Sequence, residues 1–132
     1  MSSSLIKVKK GLDLPITGAP EQTVERGGAV SQVAVIGSDY NGMRPTMAVK
    51  EGDEVALGQL LFEDKKTPGV RYTSPASGKV VAVNRGAKRF LQSVVIELSG
   101  DAEELFEQFS DVAPEQLSRD QVRDKLVASG LW

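Results

Sequence analysis

The chain has 132 residues, 40% hydrophobic and 26% charged, enough for one domain with its own core and too few for two ordinary ones. It contains neither His nor Cys, which excludes disulfides, thiol nucleophiles, thiolate-held zinc or iron–sulfur centres and every His-based triad. The net charge of −2 hides a split: residues 1–100 carry 13 basic and 10 acidic side chains and residues 101–132 carry 3 and 8, which predicts two differently exposed parts.

The first 29 residues are broken by Gly11, Pro15, Gly18, Pro20, Gly27 and Gly28, with short extended pieces expected around Leu5–Val8 and Leu12–Ile16. No long apolar segment opens the chain as in a signal peptide, and no apolar run approaches the roughly 20 residues needed to span a bilayer. Val30–Ile36 is rich in β-branched residues and reads as a strand ending at Gly37. Ser38–Pro45 is a loop by composition, with Asn-Gly and a Pro.

Closely spaced strands follow. Thr46–Lys50 is the first, turning at Glu51-Gly52-Asp53, and Glu54–Ala56 is short and extended. Leu60–Glu63 enters a polar tip at Asp64–Gly69, and Val70–Thr73 returns from it. Pro75–Gly78 turns, Lys79–Asn84 alternates as a strand, Arg85–Arg89 is a basic turn, and Gln92–Leu98 is the last strand. Strands of this length and spacing predict a small sandwich or barrel.

After Ser99-Gly100 the pattern becomes helical. Asp101–Phe109 puts Leu105, Phe106 and Phe109 on one face, with acidic residues suited to a helix amino terminus. Pro114 interrupts. Ser118-Arg119-Asp120-Gln121 has the form of a capping box, Val122, Leu126 and Val127 follow at helical spacing, and Gly130 is placed as a stop. Leu105, Phe109, Val122 and Leu126 are expected to pack together or onto the barrel. The expected organisation is a β domain over 1–100, with an irregular amino-terminal segment, and a helical extension over 101–132.

Within residues 49–83, Gly52, Asp53, Val55, Gly58, Gln59 and Leu61, then Pro75, Ser77, Gly78 and Val80, resemble the GD-x-V-x-x-G-Q-x-L and P-x-S-G-x-V pattern of the biotinyl/lipoyl carrier fold. The physical reading agrees: glycines permit the turns where a flattened barrel reverses, and Val and Leu fill a thin core. The expected class is therefore mainly β, a biotinyl/lipoyl-like barrel-sandwich hybrid with a short helical extension. Fold alone does not set function.

Carrier domains modify a lysine at a hairpin tip after Asp, which makes Lys65 or Lys66 the alternative: a biotin- or lipoate-carrying domain. Against it, the return to Pro75 is long and Pro68-Gly69 rebuild the tip, so the plainer reading is a solvated lysine pair on a loop. A free-standing enzyme is poorly served by a chain without His or Cys.

A longer resemblance covers nearly the whole chain. KKGLDLPITGAPEQ, GMRPTM, LFEDKKTPGVRYTSPASGKVV, NRGAKRFLQSVVIEL and the closing SGLW are similar to the amino-terminal part of the A subunits of bacterial sodium-translocating NADH:quinone reductases. The resemblance implies a peripheral component on the cytoplasmic side of the bacterial inner membrane, in a complex that passes electrons from NADH to ubiquinone and exports Na⁺. It implies that flavins and iron centres sit on other subunits, that this chain binds no cofactor of its own, and that it reaches the membrane through partner subunits. The family's proteins also continue well past Trp132.

Two groups of residues are candidates for contact. Tyr40, Gly42, Met43 and Arg44 combine an aromatic ring, a flexible glycine, a thioether and a fixed cation, which suits a quinone headgroup or a partner; the plainer reading is a surface turn plugging the barrel edge. From Lys65 to Arg89 there are seven basic residues and no Asp or Glu, and Arg71, Arg85, Lys88 and Arg89 are the candidates for docking acidic partner loops or anionic headgroups. The plainer reading there is a solvated basic face. Nucleic acid is disfavoured by the overall charge and the lack of interleaved aromatics. No dinucleotide, catalytic or metal motif is present, and Glu51 and Asp53 are expected to cap backbone N–H groups.

Overall fold

The computed structural model describes residues 11, 17–106, 108–109 and 112–132. The pieces expected at Leu5–Val8 and Leu12–Ile16 lie outside the described residues. Among the described residues, seven strands and one α-helix follow in order: β1 Gln32–Ile36, β2 Pro45–Met47, β3 Glu54–Val55, β4 Leu60–Asp64, β5 Arg71–Thr73, β6 Gly78–Arg85, β7 Leu91–Leu98 and α1 Arg119–Ser129. Short 3₁₀ turns lie at Gly37–Asp39, Ala87–Arg89 and Pro114–Gln116.

The strands form two antiparallel sheets, β1-β7-β6-β3 and β2-β4-β5, closing over one core as a barrel-sandwich. Alternation on β6 and along Val94–Glu97 of β7 sends Val80, Val94 and Ile96 inward and leaves Lys79 and Glu97 outside, while Leu91, beyond the register shift at Asn84 and Arg85, is buried as well. β4 departs from that rule. A register shift between Leu60 and Phe62 turns two consecutive residues, Leu61 and Phe62, into the core, both fully buried. Burial of such side chains stabilises by about 1.5–3 kcal/mol each, so these inward faces carry most of the fold.

Gly52 sits in the turn before β3 and Gly78 is the first residue of β6, both outside any helix. The Gly52 N–H donates to Val80 O at 2.8 Å, tying the turn before β3 to β6. A Cβ on Gly78 would fall 2.0 Å from Glu97 O, so the approach of β6 to β7 there requires glycine. Asp53 Oδ2 accepts from the Lys50 N–H at 3.0 Å and Glu51 Oε1 from the Val83 N–H at 2.8 Å, the backbone roles expected of both carboxylates.

Two expectations need correction. The strand expected over Thr46–Lys50 is shorter, Pro45–Met47, although Ala48 still donates to Leu61 O at 2.9 Å. The helix expected over Asp101–Phe109 is absent from the described residues of that span. Its backbone is used elsewhere: Leu57 donates to Ala102 O at 2.9 Å and Glu104 donates to Leu57 O at 2.8 Å, a parallel bridge between Leu57 and Glu103. Phe106 lies over Gly58, and Leu105 is left 74% exposed.

The second helix forms as the sequence predicts. Ser118 Oγ accepts from the Gln121 N–H at 3.2 Å, Gln121 Oε1 accepts from the Ser118 N–H at 2.9 Å, and Gly130 closes the helix at φ 75°. No residue of α1 is buried. Its carboxyl end alone meets the sheet, where Thr73 Oγ1 donates to Ser129 O at 3.3 Å. Phe109, Val122 and Leu126 line one open groove of about 480 Å³ with Leu117 and Leu131, while Leu105 is not part of it.

Candidate functional site

Strand register decides what meets at one end of the barrel. Ile36, the last residue of β1, lies opposite Ser93 of β7, and Arg85, the last of β6, lies opposite Leu91. The connections leaving β1 and β6 therefore emerge at the same end. The first carries Tyr40–Arg44 into β2, and the second is the basic turn into β7. Between them lies an open cavity of about 540 Å³ lined by Gly42, Met43, Arg44 and Pro45 on one side and Arg85, Ala87, Lys88, Arg89, Phe90 and Leu91 on the other.

The first wall is anchored from below. Asp64, at the end of β4, is buried, and its Oδ1 accepts from the backbone N–H groups of Arg44 and Lys66, each at 3.0 Å. The Lys65 N–H donates back to Arg44 O at 2.8 Å. These bonds to the charged form hold the Asp64 carboxyl below its ordinary value, first through Arg44, then Lys66, against the opposing effect of burial. Asp64, which the sequence offered only as the neighbour of two lysines, is thus the fastening of the loop. An Asp opening a polar turn was the available signal.

Two successive turns, with Thr67 donating to Asp64 O and Val70 to Thr67 O, fill the loop between β4 and β5. The tip is also braced sideways against Arg44. Lys65 and Lys66 are exposed, and Lys66 Nζ lies 3.6 Å from the position a Cβ on Gly42 would take.

The four loop candidates divide. Met43 is buried in the core cluster and also lines the cavity, whereas Arg44 is exposed on its rim. Tyr40 does not line the cavity. Its ring packs on Tyr72 with centroids 4.4 Å apart and edge-on to Phe62 at 6.5 Å, while Phe62 and Tyr72 stack at 4.8 Å. Burial, followed by the charge of Asp64, pushes the Tyr72 phenol upward.

The basic candidates divide too. Arg85, Lys88 and Arg89 share the cavity. Arg71 does not: it lies on β5 and pairs with Glu63 at 3.6 Å, both side chains more than a third exposed. Lys88 and Arg89 occupy left-handed backbone at φ 54° and 62°, the two non-glycine residues with positive φ among those described. Local bonds fix this turn: Gly86 donates to Phe90 O at 2.8 Å, Arg89 to Gly86 O at 3.1 Å, and Arg85 Nη1 to Arg89 O at 3.2 Å. Pro45, Phe90 and Leu91, which complete the apolar wall, carried no sequence signal beyond hydrophobicity.

The resulting site has cations and an apolar wall, and none of its lining residues is acidic. Among the described residues no group of three or more carboxylates is placed to hold a metal ion.

Comparison with known proteins assigns the architecture. Residues 6–99 match the family model described as the NqrA N-terminal barrel-sandwich hybrid domain. The chain belongs to this family. Over 128 residues, 97% of its length, it is 64% identical to the A subunit of the Na(+)-translocating NADH-quinone reductase of Hahella chejuensis, 59% to that of Actinobacillus succinogenes and 57% to that of Photorhabdus laumondii. It spans only 29% of the length of each of these relatives. No helix among the described residues is long and apolar enough to cross a membrane.

Proposed function

We propose that this chain acts as the amino-terminal domain of the A subunit in a Na⁺-translocating NADH:ubiquinone reductase, on the cytoplasmic side of the membrane. There it docks to other subunits and contributes one wall of the ubiquinone site. The chain supplies position and contact. The electron carriers, flavins and iron centres, belong to other subunits, and the domain performs no catalytic step alone.

The observation that carries this reading is the single cavity uniting the Gly42–Arg44 loop with the Arg85–Phe90 turn. Two strings read separately as a headgroup contact and a docking patch share one concave surface. Met43, Pro45, Phe90 and Leu91 offer apolar faces to a flat ring, and Arg44 and Arg85 can donate to its carbonyl oxygens. Because the cavity is open, this chain encloses only part of such a ring, and the rest of the site lies outside it.

The experiment is a pair of activities in the assembled complex carrying Arg44→Gln. The expected result is a raised KM for ubiquinone with NADH oxidation by an artificial acceptor unchanged. A parallel fall in both activities would assign the loop to assembly, and no change in either would remove it from the quinone site.

A further inference from the structure

The cationic end has a property that contact with a neutral quinone leaves unused. Arg44, Arg85, Lys88 and Arg89 surround the cavity, and Lys66 Nζ stands beside Gly42 on the same loop. Among the described residues none of these five cations has a carboxylate within ion-pairing distance, in contrast to Arg71 and Arg123. Phe90 stands at the end of the same turn and is 50% exposed. The two middle cations, moreover, are fixed in left-handed backbone, so the turn presents them from a defined platform.

We infer that this end of the barrel is a docking surface for anionic phospholipid headgroups, so that the domain touches the membrane directly as well as through its partners. Phosphate groups match unpaired Arg and Lys, and the acyl boundary covers an exposed aromatic ring flanked by cations. An acidic protein segment is the competing occupant, and it would bind without any vesicle. The inference uses the same cavity as the quinone reading but does not require quinone to bind there. Vesicles without quinone therefore test it separately.

The test is sedimentation of the chain with vesicles of phosphatidylcholine alone and of equimolar phosphatidylcholine and phosphatidylglycerol. Binding is expected to the mixed vesicles only, and to be lost in high salt. Each cation near the surface contributes about fivefold in partitioning, so Lys88→Asn with Arg89→Asn should weaken binding about 25-fold. Asn tolerates the left-handed backbone, and circular dichroism of the double variant checks that the fold is kept. Phe90→Ser should weaken binding too, whereas Arg71→Gln, away from the cavity, should leave it unchanged. Equal binding to both vesicle types, binding to neither, or an equal loss with Arg71→Gln would overturn the inference. So would capture of a poly-glutamate peptide by the cavity without vesicle binding, which would make the surface a protein dock.

Discussion

Gly37→Ala tests the packing that places the cavity wall. Gly37 follows β1 directly and crosses the start of β7. A Cβ there would lie 2.0 Å from Leu91 O, 2.8 Å from Leu91 C and 3.3 Å from Leu91 Cβ. The two shortest contacts are with backbone, so no side-chain rotation relieves them. β1 and β7 are paired through Ile36 and Ser93, and Leu91 is itself buried, so neither strand moves freely. Overpacking of this kind costs about 1–3 kcal/mol, and a clash between two paired backbones belongs at the upper end, about 3 kcal/mol. For a chain of this size that lowers Tm by roughly 10 °C. Gly27→Ala is the control, because nothing lies within 4 Å of its added Cβ, and its stability should stay level or rise by up to about 1 kcal/mol. Urea or thermal denaturation followed by circular dichroism measures both. A Gly37→Ala chain within about 0.5 kcal/mol of the parent would refute the close approach of Gly37 to Leu91.

Three further outcomes are expected. Leu126→Ala should cost only about 1 kcal/mol, because Leu126 is half-buried in an open groove, whereas Leu61→Ala in the closed core should cost about 2–5 kcal/mol; equal losses by urea denaturation would mean the helix packs as tightly as the barrel. Ser118→Ala removes the capping box and should reduce far-ultraviolet helix signal, costing about 1 kcal/mol of helix stability, with little effect on the barrel midpoint because only the carboxyl end of α1 meets the sheet. Asp64 has a folded pKa below its ordinary 3.8, so its contribution is complete above that value and lost as pH falls through the folded one; Asp64→Asn should flatten the acid limb of a stability–pH profile, and an unchanged limb would show that the carboxylate does not fasten the loop.

The barrel was legible because its rules are local. GD and SG turns, alternating Val and Leu, and strand-length spacing each depend on near neighbours, and they located every strand from β1 to β7 to within a few residues. The capping box at Ser118 and the stop at Gly130 were legible for the same reason. Residues 101–109 were not. Their apolar spacing suits a helix, but a backbone partner at Leu57, more than 40 positions away, takes the hydrogen bonds a helix would need. The bulge at Leu60–Phe62 was hidden similarly, since it is set by pairing with Tyr72 and Thr73. At the site, both strings stood out in the sequence but their convergence did not, because it follows from the offsets of β1 and β6 along β7. Arg71 was grouped with the cavity cations by sequence proximity, and the alternation of β5 gave it to Glu63.

The basic turn also corrects the usual inference from glycine. Gly86 is the one glycine of the Arg85–Arg89 turn, yet it is extended, at φ −95°. The left-handed positions fall on Lys88 and Arg89, where each costs of order 1–3 kcal/mol relative to relaxed backbone. Glycine at either position would relieve that strain but remove a cation from the cavity rim. A Cβ on Gly86 would meet only the exposed, flexible Gln92 side chain, at 3.1 Å, which a small shift relieves. The hairpin therefore places its backbone strain on two of the four cations that line the cavity rather than on its glycine. A turn required only to join β6 to β7 would gain stability from the opposite assignment. Backbone strain of this kind collects at contact surfaces, so it adds support to the proposed docking role of Lys88 and Arg89.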